Sequence, residues 1–304
     1  MLVSPHVTLT YTNSVGEQVA MNFHNTIIPQ RLLEDRPQLI HTIQQSNMDG
    51  SIEMSDQAGD CYFNLLGLIR HTGVPSEYYV RQLERVFNQT LSGVLHYRNA
   101  NPRISIATKE IPCRVVGKPL VYWDWNDRCL KFDIRLVSHA TWWQGLSHTE
   151  IIAKTTKLFS FRHSSPQRRV LRPERPAGFI FGSVAQVLQS TFHNVGNVRS
   201  GFTATLHARG GSVLNPEIIN IATGERIRFL LAMAQNDVIT IERTPQVRRV
   251  LFNGQDATQY LDAPNTHFFM LGVGENQIGF NAEENVTNLH VVIRYTPLFT
   301  FAEG

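Results

Sequence analysis

Cysteine is scarce in this chain of 304 residues. Cys61, Cys113 and Cys129 are too few and too widely spaced for a disulfide framework or a CxxC metal clamp, and are expected to be reduced thiols. An excess of one charge is missing too: 28 basic side chains against 25 acidic ones leave a net +3, which gives no global grip on a nucleic-acid backbone or an anionic membrane. No run approaches the roughly 18 apolar residues that span a bilayer. The opening MLVSPHVTLTYTNS lacks the basic start and unbroken apolar stretch of a secretion signal. The expectation is a protein made and used in solution, without a membrane partner. Local catalytic signatures are also missing, with no HExxH, GxSxG, Walker loop or GxGxxG after a strand, and the 12 histidines fall without ligand-like spacing. No enzyme activity, cofactor or metal is expected. Glu283 and Glu284, beside Asn285, read as a solvated turn.

What is present describes a folded β protein. Apolar residues make up 42% and charged residues 17%, a globular balance, and the length suits two ordinary domains or one large β-domain. In VPSEYYVRQLERVFNQ, Pro75 suits a first helical turn, Glu77 favours the positive end of the dipole, and Tyr79, Leu83, Val86 and Phe87 recur at helical spacing. A helix over about 75–89 is predicted, with one buried face. SGVLHYRN, PRISIATKEIPCRVVGKPLVYWDW and CLKFDIRLVS read as antiparallel strands between Asn, Gly and Pro breaks. The character changes at 158–178, LFSFRHSSPQRRVLRPERPAG, where prolines, paired serines and arginines suggest an interdomain linker. Beyond it, FTATLHARG, RIRFLLA, DVITIE and LHVVIRY alternate with period two, and Asn253-Gly254 is a strong hairpin signal because both central residues of a type I′ turn need positive φ. Short strands at roughly 8–12 residue spacing indicate a β-sandwich. The expected domains are 1–157, a linker at 158–178, and a sandwich over 179–304.

Two clusters have competing readings. Tyr122, Trp123, Asp124, Trp125 and Asn126, with Trp142 and Trp143, could form an aromatic platform for sugar rings, or fill a core edge or a subunit interface, where aromatics are enriched. Arg162, Arg168, Arg169, Arg172 and Arg175 could meet phosphate or an acidic partner, or form a solvated linker, since Glu174 and the prolines interrupt them.

NPEIINIATGERIRFLLAMAQNDVITIE, residues 215–242, resembles the signature of the siphophage distal tail (Dit) proteins through Asn215, Pro216, Asn220, Thr223, Gly224, Glu225 and Asp237. Asn236 stands where the family has Gly, a mild departure because Asn also tolerates positive φ. The likeness continues through Asn253, Gly254, Leu261, Asp262, Phe269, Leu271, Gly274, Asn276 and Ile278, and is strongest over 190–300. In the first half it rests on order: one amphipathic helix, then Leu95, Tyr97 and Arg98, IPCRVVG and an aromatic-ended strand. The resemblance implies a mainly β fold, with a ring-forming N-terminal β domain carrying one α-helix and a C-terminal galectin-like β-sandwich. It also implies a structural virion protein at the tail tip or baseplate, made in the host cytoplasm. Six chains would close a ring joining the tail tube protein to a tail-associated protein and to receptor-binding or baseplate proteins. Genomic DNA would pass the lumen without specific binding. A lectin-like host-wall adhesion module is the alternative. All four tryptophans precede the expected linker, so the sandwich lacks the indole on which a galectin stacks its sugar.

Overall fold

A computed structural model describes residues 3–36, 38–43, 52–71, 73–101, 108–126, 128–151, 154–158, 183–187, 189–245 and 247–302. The chain divides into two units, one made of Met1–Leu146, Gly196–Val198 and Pro297–Gly304, the other of Ser147–Val195 and Arg199–Thr296. This division differs from the expected one at both ends. The chain leaves the first unit at 146, because His148–Ile151 pairs with Leu289–Tyr295 of the sandwich, and it returns to the first unit at 297. Lys154–Leu158 and Ser183–Val187 pair as antiparallel neighbours in the second unit, so the stretch expected as linker connects two paired strands. The arginine cluster from Arg162 to Arg175 lies outside the described residues.

The first unit is built on an antiparallel sheet in the order Gln18–Met21, Val7–Asn13, Ser92–Asn99, Thr108–Val115, Cys129–Ser138, Cys61–Ile69, Ile27–Asp35. Alternation decides its faces. Leu9 and Tyr11, Leu95 and Tyr97, Ile111 and Cys113, and Phe132 and Ile134 are buried at every second position of their strands. Leu120–Asp124 adds at one end of Cys129–Ser138, with Trp123 opposite Leu130. The helix spans Ser76–Val86 and buries Leu83 and Val86, each worth about 1.5–3 kcal/mol of transfer free energy. Pro75 sits just before it, its carbonyl accepting from the Tyr78 N–H at 3.0 Å. Phe87 follows and stacks on Tyr11 with ring centroids 4.5 Å apart, and the Asn13 Nδ2 donates to the Val86 carbonyl at 3.3 Å. The helix end is therefore tied to the first strand by both an aromatic and a polar contact.

The second unit has two principal sheets around one core. The larger runs His148–Ile151, Leu289–Tyr295, Phe202–Ala208, Val238–Arg243, Arg248–Phe252, Gln255–Asp256. The smaller runs Gln189–Asn194, Gly274–Asn281, Glu217–Asn220, Arg226–Arg228. Phe202, Ala204 and Leu206 face inward with Ile239 and Ile241 from one sheet, and Ile218, Ile227 and Ile278 from the other. The period-two reading of this region thus describes its faces, and the mainly β class with a single helix among the described residues is the fold observed.

Candidate functional site

Most of the residues of the second unit singled out in the sequence lie at bends, and the side chains of Asn220, Asp237, Asn253 and Asn276 satisfy backbone groups there. Asn220 is buried, and its Oδ1 accepts from the N–H groups of Ala222 at 3.1 Å and Thr223 at 3.4 Å, while the Gly224 N–H donates to its carbonyl at 2.8 Å. Thr223 Oγ1 donates to Glu225 Oε2 at 2.8 Å. Pro216 offers its carbonyl to the Phe229 N–H at 3.0 Å, and Asn215 takes positive φ and donates to Glu283. Asp237 accepts from the Ala234 N–H at 2.7 Å and from Asn253 Nδ2 at 2.9 Å, and Asn253 accepts from the Val238 N–H at 2.9 Å. Asn253 and Gly254 have φ of 50° and 83°, as a type I′ hairpin requires. Asn236 has φ 75°. Asn276, also buried, closes the loop after Leu271, accepting from the Gly272 N–H at 2.8 Å and donating to the carbonyls of Gly272 and Gly274. Gly274 takes φ 83° in that same loop. Each of these groups would cost about 1–3 kcal/mol if buried unpaired. They specify the shape of loops and hold no group poised for chemistry.

The aromatic cluster is divided. Trp143 is fully buried, edge-on to Phe63 and Tyr97, and its Nε1 donates to Glu34 Oε2 at 3.1 Å. Trp142, its neighbour in sequence, carries the Arg36 guanidinium 5.2 Å from its ring centroid. These two are packing residues. Trp123 and Trp125 are exposed at 47% and 83%, their rings in an edge contact at 6.2 Å, and Leu120 and Tyr122 on the same strand are exposed with them. Among the described residues that strand pairs on one side only.

A second arrangement in the first unit was not visible in the sequence. Leu298–Phe299 pairs with Trp143–Gln144, Trp143 opposite Phe299. Lys109, buried, donates through Nζ to the carbonyls of Phe301 at 3.2 Å and Ala302 at 2.8 Å and lies 4.3 Å from the Phe299 ring centroid. Glu34 accepts from the Ala302 N–H at 3.3 Å. Burial holds the Glu34 carboxyl above the usual carboxylate range, against the hydrogen bonds from Trp143 and Ala302 and the charges of Arg36 and Lys109. A buried cation and a buried acid thus both serve the last residues of the chain.

Catalytic chemistry finds no support in these surroundings. Burial pushes the Cys61 thiol up to about 11 and the Cys113 thiol up to about 12, which suppresses the nucleophilic thiolate. Among the described residues no group of three His, Cys, Asp or Glu side chains is placed to hold a metal. Glu283 is engaged by Arg228 as well as by Asn215, so it is an ion-paired loop residue. No helix among the described residues is long and apolar enough to cross a membrane.

A sandwich whose distinctive side chains brace its own turns, joined to a unit with an exposed aromatic edge, has the character of an assembly protein. Residues 195–299 match the family described as siphovirus-type tail component, C-terminal domain. Among solved structures, the chain has the fold of SPP1 Dit (gp 19.1), described as a paradigm of the hub adsorption apparatus in Gram-positive infecting phages. The TM-score is 0.60 at 9% identity, over 96% of this chain and 99% of that one. Chains of the phage P2 baseplate in its activated conformation align at TM-scores of 0.40 with calcium and 0.38 with strontium. Their identities are 10% and 11%, over 97% and 95% of this chain and 99% and 97% of theirs. No curated protein sequence matches the chain.

Proposed function

We propose that this protein is a distal tail hub of a siphovirus, placed at the tail tip or baseplate of the virion. In this reading the first unit closes a homo-hexameric ring that continues the tail tube. The second unit holds receptor-binding or baseplate proteins, a tail-associated protein docks below, and genomic DNA passes through the lumen without specific contacts. The observation that carries the reading is the shared fold with SPP1 Dit over nearly the whole of both chains. Two features of the molecule support it. Every exposed large aromatic among the described residues belongs to the first unit, where a ring needs adhesive surface. The net charge of +3 favours weak, screened encounters with duplex DNA over retention. Light scattering is expected to give a mass of six 34.5 kDa chains, and negative-stain images a six-fold ring with a central hole. A monomer at all concentrations, or salt-resistant retention of duplex DNA, would overturn the reading. A lectin-like wall-adhesion role is the second reading, favoured by the exposure of Trp123 and Trp125.

A further inference from the structure

The first unit contains a cavity of about 510 Å³ that neither the turn-bracing residues nor the packing of the last strand accounts for. Its volume lies within the roughly 300–1,000 Å³ of small-molecule sites. Leu68 and Leu130 contribute apolar wall, Tyr79 and Trp123 contribute rings, and Arg70 and Arg128 contribute guanidinium groups, while no carboxylate among the described residues lines it. The aromatic faces suit the C–H faces of sugar rings, and the two cations suit an anionic substituent.

Two details single out these residues from an ordinary surface hollow. Arg128 has φ 50°, and the other non-glycine residues with positive φ among the described ones are Asn215, Asn236, Asn253 and Asn285. The left-handed conformation is strained for a residue with an ordinary side chain, a strain Asn lowers by local hydrogen bonding. An arginine at such a position trades backbone comfort for its side chain, a pattern that gathers at ligand sites. Trp123 is braced edge-on by Trp125 at 6.2 Å and still 47% exposed, so its ring is held without being covered. Arg70 donates to the Phe23 carbonyl at 3.2 Å, which fixes the guanidinium and keeps further N–H groups for a guest.

We propose that this cleft is a binding site for an acidic saccharide, one or two sugar rings stacked on Trp123 and Tyr79 with a carboxylate held by Arg70 and Arg128. A peptide strand adding to Leu120–Asp124 would present side chains to both faces of that edge, including the Tyr122 face. The cavity draws on the Trp123 face alone, and the cations lie there. The site gives the second reading above a specific place, deepens it, and does not depend on ring formation.

The test is a titration of the full-length protein, followed by tryptophan fluorescence and calorimetry, with trigalacturonate, neutral maltotriose and hexaglutamate. Trigalacturonate is expected to bind saturably and maltotriose at least about ten-fold more weakly. Trp123→Ala and Arg128→Gly should each weaken trigalacturonate by about ten-fold or more, equivalent to about 1.4 kcal/mol. Glycine accepts positive φ freely, so Arg128→Gly keeps the fold and reports on the guanidinium. The proposal is overturned by absent or non-saturable binding, by equal affinity for maltotriose, or by full affinity in both variants. Hexaglutamate binding as tightly with the same dependence on Arg128 overturns it too, and would assign the cleft to an acidic protein partner. Light scattering on the same samples separates the two claims: loss of the hexamer with binding intact sinks the hub, and the reverse sinks the cleft.

Discussion

The two units of this molecule use their polar and aromatic residues in opposite ways. In the second, the large aromatics Phe192, Phe202, Phe229, Phe269 and Phe280 are buried, and none of the aromatics described there is exposed. Its amides turn back on its own backbone, as Asn220, Asn253 and Asn276 do. In the first, Phe23, Tyr62, Tyr78, Tyr122, Trp123 and Trp125 are exposed, while a buried lysine and a buried glutamate serve the end of the chain. The second unit keeps its described aromatics off the surface, and the first leaves aromatic surface exposed. Apolar surface of that kind marks association sites on soluble proteins.

All four tryptophans lie in the first unit, so indole fluorescence follows its unfolding separately from far-ultraviolet dichroism, which reports both units. The contrast can be broken most forcefully at Trp143. Trp143→Ala is expected to destabilise the first unit by about 3–5 kcal/mol, through the cavity and the lost bond to Glu34, with the sandwich transition unmoved. A coupled loss of both transitions would show that the units do not melt independently. The corresponding change in the sandwich is Asn276→Ala, which strips three backbone partners from a buried turn and should cost about 1–3 kcal/mol. It should show in dichroism and leave indole fluorescence unchanged. Gly254→Ala forces a Cβ onto a residue at φ 83° and should cost the sandwich about 1–2 kcal/mol in urea titrations. The finest distinction is pH dependence. Because burial raises the folded-state value of Glu34, its contribution is fully present below the ordinary carboxylate value and is lost as pH rises through the raised one. The first unit is expected to lose stability over that window, and Glu34→Gln to flatten the loss. An unchanged slope in the variant would remove Glu34 as the cause.

Local pattern was legible where local pattern decides the structure. SGVLHYRN and CLKFDIRLVS form strands Ser92–Asn99 and Cys129–Ser138, the helix lies within its predicted span, and Asn253-Gly254 adopts the backbone its dipeptide predicts. Period two and positive φ are properties of a few adjacent residues, so a sequence displays them directly. Pairing between distant segments is not such a property. Leu298–Phe299 falls within the sandwich expected over 179–304, yet it pairs with Trp143–Gln144, because the partner of a two-residue strand is chosen by the core into which Phe299 fits. For the same reason Lys109 looked like any strand lysine, and Trp142 and Trp143 like one pair with one role. The cleft was half legible: the Trp123 and Trp125 cluster was visible, but Tyr79, Arg70 and Arg128 come to it from other elements.

The return of the chain to the first unit has a mechanical consequence. The second unit is an insertion with its two main ends, at 146/147 and 296/297, leading into strands Trp143–Gln144 and Leu298–Phe299 that are hydrogen-bonded to each other. A bead on a string passes tension through one covalent lead, whereas a tug on this sandwich divides among four crossings, at 146/147, 195/196, 198/199 and 296/297, the last leading to residues held by Lys109 and Glu34. Force applied to the second unit would therefore be delivered into the interior of the first, at Trp143 and Phe299, and not to a slack tether.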